Sequence, residues 1–185
     1  KKLPWRDTHL KVVGGAVYGI QRAFLIDWYF VSQTLLTSSV YYPPLSNDIS
    51  NDCIAQVVTG SPVSVWPDIM QGFIRIILEA KHYVYIETPY FLPTEPFMAA
   101  ITNAALSGVD VRLLIPAQSD VFITSLATHS YIPEALEAGV KVFLYQKGFN
   151  HSKLIVCDDS LCTCGSTNID FRSFENNFES NIIFY

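Results

Sequence analysis

The sequence predicts an α/β fold: a mixed, largely parallel sheet flanked by helices on both faces. Three observations predict it. Helix-period and strand-period stretches alternate from about residue 55 to residue 145, the order that gives right-handed crossovers and a covered parallel sheet. From residue 152 onward, strands joined by short connections replace that alternation, which adds an antiparallel portion. Half of the 185 residues are hydrophobic and 16% are charged, a composition that supports a substantial core and argues against disorder.

Each element follows from its local pattern. Residues 8–13 (THLKVV) alternate like a half-buried strand, with Gly14 and Gly15 as its stop. Over residues 16–36, Val17, Ile20, Phe24, Trp28, Val31 and Leu35 recur at helical spacing. Arg22 and Asp27 interrupt that stretch, so it reads as a packed amphipathic helix and not as a membrane span. Residues 37–52 collect Ser, Pro, Asn and Asp and form a connector that divides the chain near residue 50. Residues 55–60 are a strand. Residues 68–82 form a helix with Asp68 at its N-cap and Ile69, Phe73, Ile76, Ile77 and Ala80 on one face. Residues 83–91 are a strand ended by Pro89, and residues 95–108 a helix closed by Gly108. Residues 109–116 are a strand. Asp120 is placed to cap the next helix, which Pro133 divides and Gly139 ends. Residues 140–145, 152–159, 161–165 and 180–185 are the remaining strands.

The net charge of −5 speaks against a protein that grips nucleic acid through its phosphates. The spacing of Cys53, Cys157, Cys162 and Cys164 matches no zinc pattern, so these read as small, apolar side chains.

The chemistry concentrates in His151–Asp159 (HSKLIVCDD). On a strand, residues of equal parity share a face, so His151 and Lys153 point the same way while Asp158 faces away and supports the site. Gly165 then permits a bend, and Ser166 and Asn168 are again two residues apart, able to lie beside the first pair. An imidazole that attacks phosphorus, with an ammonium and an amide N–H₂ to hold the non-bridging oxygens, suits a phosphodiester. His9 and Lys11 form a second H-x-K, but neither a following Asp at the same spacing nor a G-S-x-N accompanies it.

The pattern His151-x-Lys153-x₄-Asp158, followed by Gly165-Ser166-x-Asn168-x-Asp170-x-Arg172-Ser173, resembles the phospholipase D superfamily, and within it the bacterial cardiolipin synthases. The segments WRDTHLKVVGGAV, ETPYFLPTEP, GVDVRLLIP, EALEAGVKVFLYQKGFNHSKLIVCDD and GSTNIDFRSFENNFESN carry the likeness almost end to end. The resemblance implies a phospholipase D-like fold with two H-x-K-x₄-D motifs, one per repeat. Residues 1–48 would then be the end of the first repeat plus a connector, and residues 49–185 the second repeat. It implies catalytic roles for His151, Lys153, Asp158 and Glu179, with Glu179 bonded to His151. Ser166, Asn168 and Tyr90 would contact substrate. Asp7, which aligns with Glu179, would orient the histidine of the first repeat.

The implied reaction is cardiolipin synthesis from two phosphatidylglycerol molecules through a phosphohistidine, with no cofactor and no metal. The implied partners are the phospholipid, a membrane surface reached through an upstream part, and a complementary first repeat or a second copy of the chain; nucleic acid is not among them. The implied location is the bacterial cell membrane, with the catalytic part facing the cytoplasm. One motif supplies one histidine, so this chain alone is expected to be inactive. Two other readings remain open: a hydrolytic phospholipase D or dimeric single-motif nuclease, and a non-catalytic phosphate-binding half-domain. Phe91 is placed either in a lipid-facing groove with Tyr90 or in the core. His129 and Glu175 receive no role.

Overall fold

The computed structural model describes residues 4–45 and 53–185. Part of the expected connector, residues 46–52, lies outside the described residues. A seven-stranded sheet organises the molecule in the order β2-β11-β9-β8-β3-β5-β6. Its members are β2 (Ala55–Gly60), β3 (Tyr83–Glu87), β5 (Asp110–Pro116), β6 (Lys141–Tyr145), β8 (Leu154–Cys157), β9 (Leu161–Gly165) and β11 (Glu179–Phe184). Within this sheet, the parallel pairs are β3–β5 and β5–β6, where helices make the crossovers. The pairs β3–β8, β8–β9, β9–β11 and β11–β2 are antiparallel, in keeping with their short connections. The mixed α/β class stands, with its parallel part at one end of the sheet.

Helices α2 (Asp68–Glu79) and α3 (Glu95–Leu106) pack on one face. There Ile69, Phe73, Ile76 and Ile77 of α2 and Phe97 and Ile101 of α3 meet Val84, Ile86, Val111, Leu113, Ile115 and Ile155 of the sheet; all are at most 4% exposed. Asp68 is the first residue of α2 and Pro67 its N-cap. Its carboxylate therefore sits in the first turn, where it complements the helix dipole, and does not cap as expected. Helix α3 ends with Gly108 at φ +92°, the left-handed C′ conformation that favours glycine.

Helix α4 (Phe122–Glu137) runs through Pro133 without dividing. The ring removes one N–H, but Pro133 is exposed, so it crowds no neighbouring element. Asp120 does not cap α4; it accepts a hydrogen bond from the Tyr90 hydroxyl at 2.8 Å.

Helix α1 (Ala16–Ser32) buries none of its residues. Trp28, Phe30 and Val31 are 45%, 64% and 82% exposed, which corrects the expectation of a packed helix. The cause lies in its neighbours: α1 meets the rest of the molecule chiefly at β2, where a Cβ on Gly19 would come within 2.8 Å of Val57. Val57 pairs with Ile182, whereas Gly72 of α2 lies against Ile183. Adjacent strand residues face opposite ways, so α1 and α2 occupy opposite faces of the sheet. No helix among the described residues is long and apolar enough to cross a membrane.

Two small parallel ribbons complete the fold. β1 (Trp5–Arg6) pairs with β7 (Phe149–Asn150), and β10 (Ile169–Asp170) pairs with β4 (Phe91–Leu92). The expected strand over residues 8–13 is absent. Alternation alone does not make a strand; it also needs a neighbouring backbone, and β7 meets only Trp5 and Arg6. Phe91 is fully buried in the core, and the strand expected over residues 83–91 breaks at Thr88–Tyr90 into β3 and β4.

Candidate phosphodiester site

His151 and Lys153 flank Ser152 in the three residues that join β7 to β8. The backbone of His151 is held by the ribbon, its N–H donating to Arg6 O at 2.8 Å. Its ring is held by two residues from the beginning of the chain. Trp5 packs on it with ring centroids 4.6 Å apart, and Nδ1 lies 3.1 Å from Asp7 Oδ2. The Asp7 carboxylate therefore selects the tautomer with the proton on Nδ1 and leaves Nε2 with its lone pair. Nε2 has no hydrogen-bond partner among the described residues.

Lys153 is 9% exposed, and its ammonium donates to His151 O at 2.5 Å. Burial pulls its pKa down from 10.5 to about 8, against the opposing pull of Asp7, Glu179 and Asp170. The ammonium of Lys153 and the free imidazole nitrogen of His151 are the groups here that can meet an anion.

The carboxylates are distributed differently from the expectation. Glu179 makes no bond to His151. It accepts from Ser166 Oγ and, at 3.0 Å, from Asn177 Nδ2. The reason lies in the register: Glu179 begins β11, where Ser180 exchanges hydrogen bonds with Ser166 and draws that hydroxyl onto the neighbouring carboxylate. Asp7, expected to serve a histidine absent from this chain, serves His151 instead. Gly165 lets β9 come close to β11, because a Cβ there would collide with the Ser180 carbonyl oxygen; its backbone has no positive φ.

Asp158 stands at the far end of β8, in a turn with φ +49°. Its carboxylate accepts from the backbone N–H groups of Lys81, His82 and Tyr83 at 2.5, 3.0 and 2.7 Å. Burial alone would raise its pKa; these three donors outweigh it and hold the group below its ordinary value. It ties the β8–β9 turn to the start of β3 and touches neither His151 nor Lys153. Asn168 Oδ1 is buried with no partner among the described residues. Asn168 and Tyr90 line one cleft of about 400 Å³, and Tyr90 also packs on Phe149, centroids 6.1 Å apart. His129 bonds its own helix at Ser125 O, 2.7 Å away. A cavity of about 880 Å³ lies at the Asp158 end of the sheet, and no imidazole lines it.

Sequence reasoning missed the network behind His151. Asn150 and Ser152, fully buried, point away from the imidazole. Arg6 Nη1 donates to Asn150 Oδ1 at 2.8 Å, to Ser152 Oγ at 3.2 Å and to Glu87 Oε2 at 2.8 Å. Thr8 Oγ1 reaches Ser152 Oγ at 2.9 Å. The available signal was the alternation itself: polar residues on both faces of an N-H-S-K run imply a partnered network on the buried side.

A family profile described as "Cardiolipin synthase, PLD-like domain" matches residues 73–185. The chain belongs to this phospholipase D-like family. Among curated relatives of the family, the cardiolipin synthase of Clostridium perfringens strain SM101 is 42% identical over 98% of the chain, and that of Geobacillus thermodenitrificans is 45% identical over 98%. The chain spans 39% and 36% of the length of these two relatives. Solved structures share the fold at low identity. Nuc from Salmonella typhimurium, a phospholipase D family member, aligns with a TM-score of 0.56 at 20% identity, covering 72% of this chain and 84% of its own. The phosphatidylserine synthase of Haemophilus influenzae aligns with a TM-score of 0.59 at 17% identity, covering 95% and 43%.

Proposed function

We propose that this chain is the second catalytic half of a cardiolipin synthase-like phosphatidyltransferase, in which residues 1–48 end the first repeat and residues 49–185 form the second. The observation that carries the reading is the His151 ring, held at Nδ1 by Asp7 and bare at Nε2, next to the buried ammonium of Lys153. The substrate is phosphatidylglycerol presented by a bacterial membrane, with the catalytic part on the cytoplasmic side.

In this mechanism one imidazole attacks the phosphorus of a first phosphatidylglycerol and forms an N–P bond. The P–O bond to glycerol breaks, and the other imidazole protonates the departing alkoxide. The hydroxyl of a second phosphatidylglycerol then attacks phosphorus, the N–P bond breaks, and cardiolipin leaves. Lys153 and the Asn168 amide N–H₂ hold the non-bridging oxygens, with Ser166 behind them on Glu179. His151 is one of the two imidazoles, and the preceding repeat supplies the other. Because Asp7, from the end of the first repeat, holds the histidine of the second, the symmetric role for Glu179 is to hold the histidine of the first. Carboxylates exchanged in this way make each half of the site incomplete without the other.

The test is product identity. The full-length parent on phosphatidylglycerol vesicles is expected to release one glycerol for each cardiolipin formed. Phosphatidic acid as the main product would replace the transferase with a hydrolase.

A further inference from the structure

We propose that the loop joining β2 to α2, residues 61–67, is a lipid-contacting tip that sets the rim of the site on the bilayer surface. This inference rests on the transferase reading above, which requires a phospholipid to reach His151 from a bilayer.

The loop reads Ser61-Pro62-Val63-Ser64-Val65-Trp66-Pro67 and carries no charged residue. Val63, Val65 and Trp66 are 85%, 86% and 66% exposed. Three large apolar side chains held out together on one short loop are unfavourable in water and mark an interaction surface. Their chemistry fits a lipid boundary. The indole of tryptophan, apolar with a single N–H donor, suits headgroup depth, and valine suits the acyl carbons beneath. The backbone is prepared for the same medium. Pro62 and Pro67 have no N–H. Val63 N–H donates to Ser61 Oγ at 3.3 Å, and Ser64 N–H donates to Ser61 O at 3.0 Å. None of these four residues presents a free N–H to a layer poor in acceptors.

The position of the loop gives the tip its use. Gly60, the last residue of β2, pairs with Glu179, and Glu179 accepts from Ser166. The loop therefore leaves the sheet at the end that carries the site. β2 stands three places from β8 in the strand order, about 15 Å at the usual strand spacing. The short helix α5 (Phe171–Glu175) lies between loop and site. Its Phe174 and Glu175 line a hollow of about 230 Å³ with Val65 and Trp66, and its exposed Phe171 lines the cleft of Asn168. An apolar rim thus runs from the tip toward the site. The loops at the other end of the sheet carry Lys81, His82, Asp158 and Asp159. The end of the first repeat passes on the other flank of His151, where Arg6 lies over the Tyr145 ring of β6 at 5.7 Å. β6 and β2 are opposite edges of the sheet, which leaves the β2 edge to the lipid.

The experiment uses the full-length parent in phosphatidylglycerol vesicles whose acyl chains carry bromine, a contact quencher of tryptophan. Trp66→Phe keeps an apolar ring and removes the fluorophore, so it is expected to remove part of the quenched emission. The same quenched emission in both proteins means that Trp66 meets no acyl chain and is covered by protein, from the first repeat or a second copy, and overturns the proposal. Val63→Asp combined with Val65→Asp charges two exposed positions, so the thermal midpoint is expected to hold. Its kcat/KM on vesicle phosphatidylglycerol is expected to fall about tenfold, while a short-chain phosphatidylglycerol dissolved as monomers is turned over at the wild-type rate. Undiminished turnover of vesicles, or an equal loss on both substrates, overturns the docking role and leaves the transferase reading in place. A wild-type parent that forms no cardiolipin from either substrate overturns that reading and this inference with it.

Discussion

Asp7 is the residue on which the readiness of His151 depends, since its carboxylate decides which ring nitrogen carries the proton. Asp7→Asn in the full-length parent is expected to lower kcat by about 10²-fold or more, with KM for phosphatidylglycerol little changed. Initial rates on vesicles measure this. Lys153 makes a pH prediction. Burial holds its pKa near 8, so its charge is present below that pH and lost as the pH rises through it. Phosphodiester binding should therefore weaken above about pH 8. Lys153→Arg keeps the charge at every accessible pH and should remove that limb from the pH profile of kcat/KM. The face shared by His151 and Lys153 was legible in side-chain parity. Asp158 lies apart from His151 and Lys153 as expected, but not through side-chain parity: it stands in the turn beyond the far end of β8, where its φ is +49°. The partner of His151 was not. Asp7 and Glu179 are both carboxylates set beside backbone turns, and only the pairing of β1 with β7, 144 residues apart in sequence, decides which one reaches the ring.

At the scale of elements, the site is a short ribbon clamped on both faces. Trp5 and Asp7 hold the imidazole side, while Arg6, between them, holds the buried side through Asn150, Ser152 and Glu87. The opposite end of β8 is secured by Asp158. Asp158→Ala removes the acceptor of three backbone N–H groups and is expected to cost about 2–3 kcal/mol, read in urea unfolding of this chain. Helices α2 and α3 were legible because one strongly apolar stripe fixes both their period and their buried face. Helix α4 across Pro133, the Tyr90–Asp120 contact and the break between β3 and β4 were not. Each depends on packing between segments far apart in sequence, and local signals for capping or ending an element lose to it.

At the scale of the whole molecule, α1 presents aromatic and aliphatic side chains outward, beyond what a soluble surface carries by chance. The chain spans less than half the length of its curated relatives. In isolation it is expected to bind a hydrophobic dye and to self-associate with rising concentration. Monomeric behaviour without dye binding, by light scattering and fluorescence, would contradict that. The sequence showed a helix at α1 because periodicity is local; it did not show whether the apolar side was covered, because cover comes from other segments. The central claim is that His151 is one of two imidazoles acting on the phosphodiester. The direct measurement is cardiolipin formation by the full-length parent carrying His151→Ala, with its thermal midpoint as a control for folding. The account predicts loss of synthesis at an unchanged midpoint, and synthesis at the wild-type rate would contradict it.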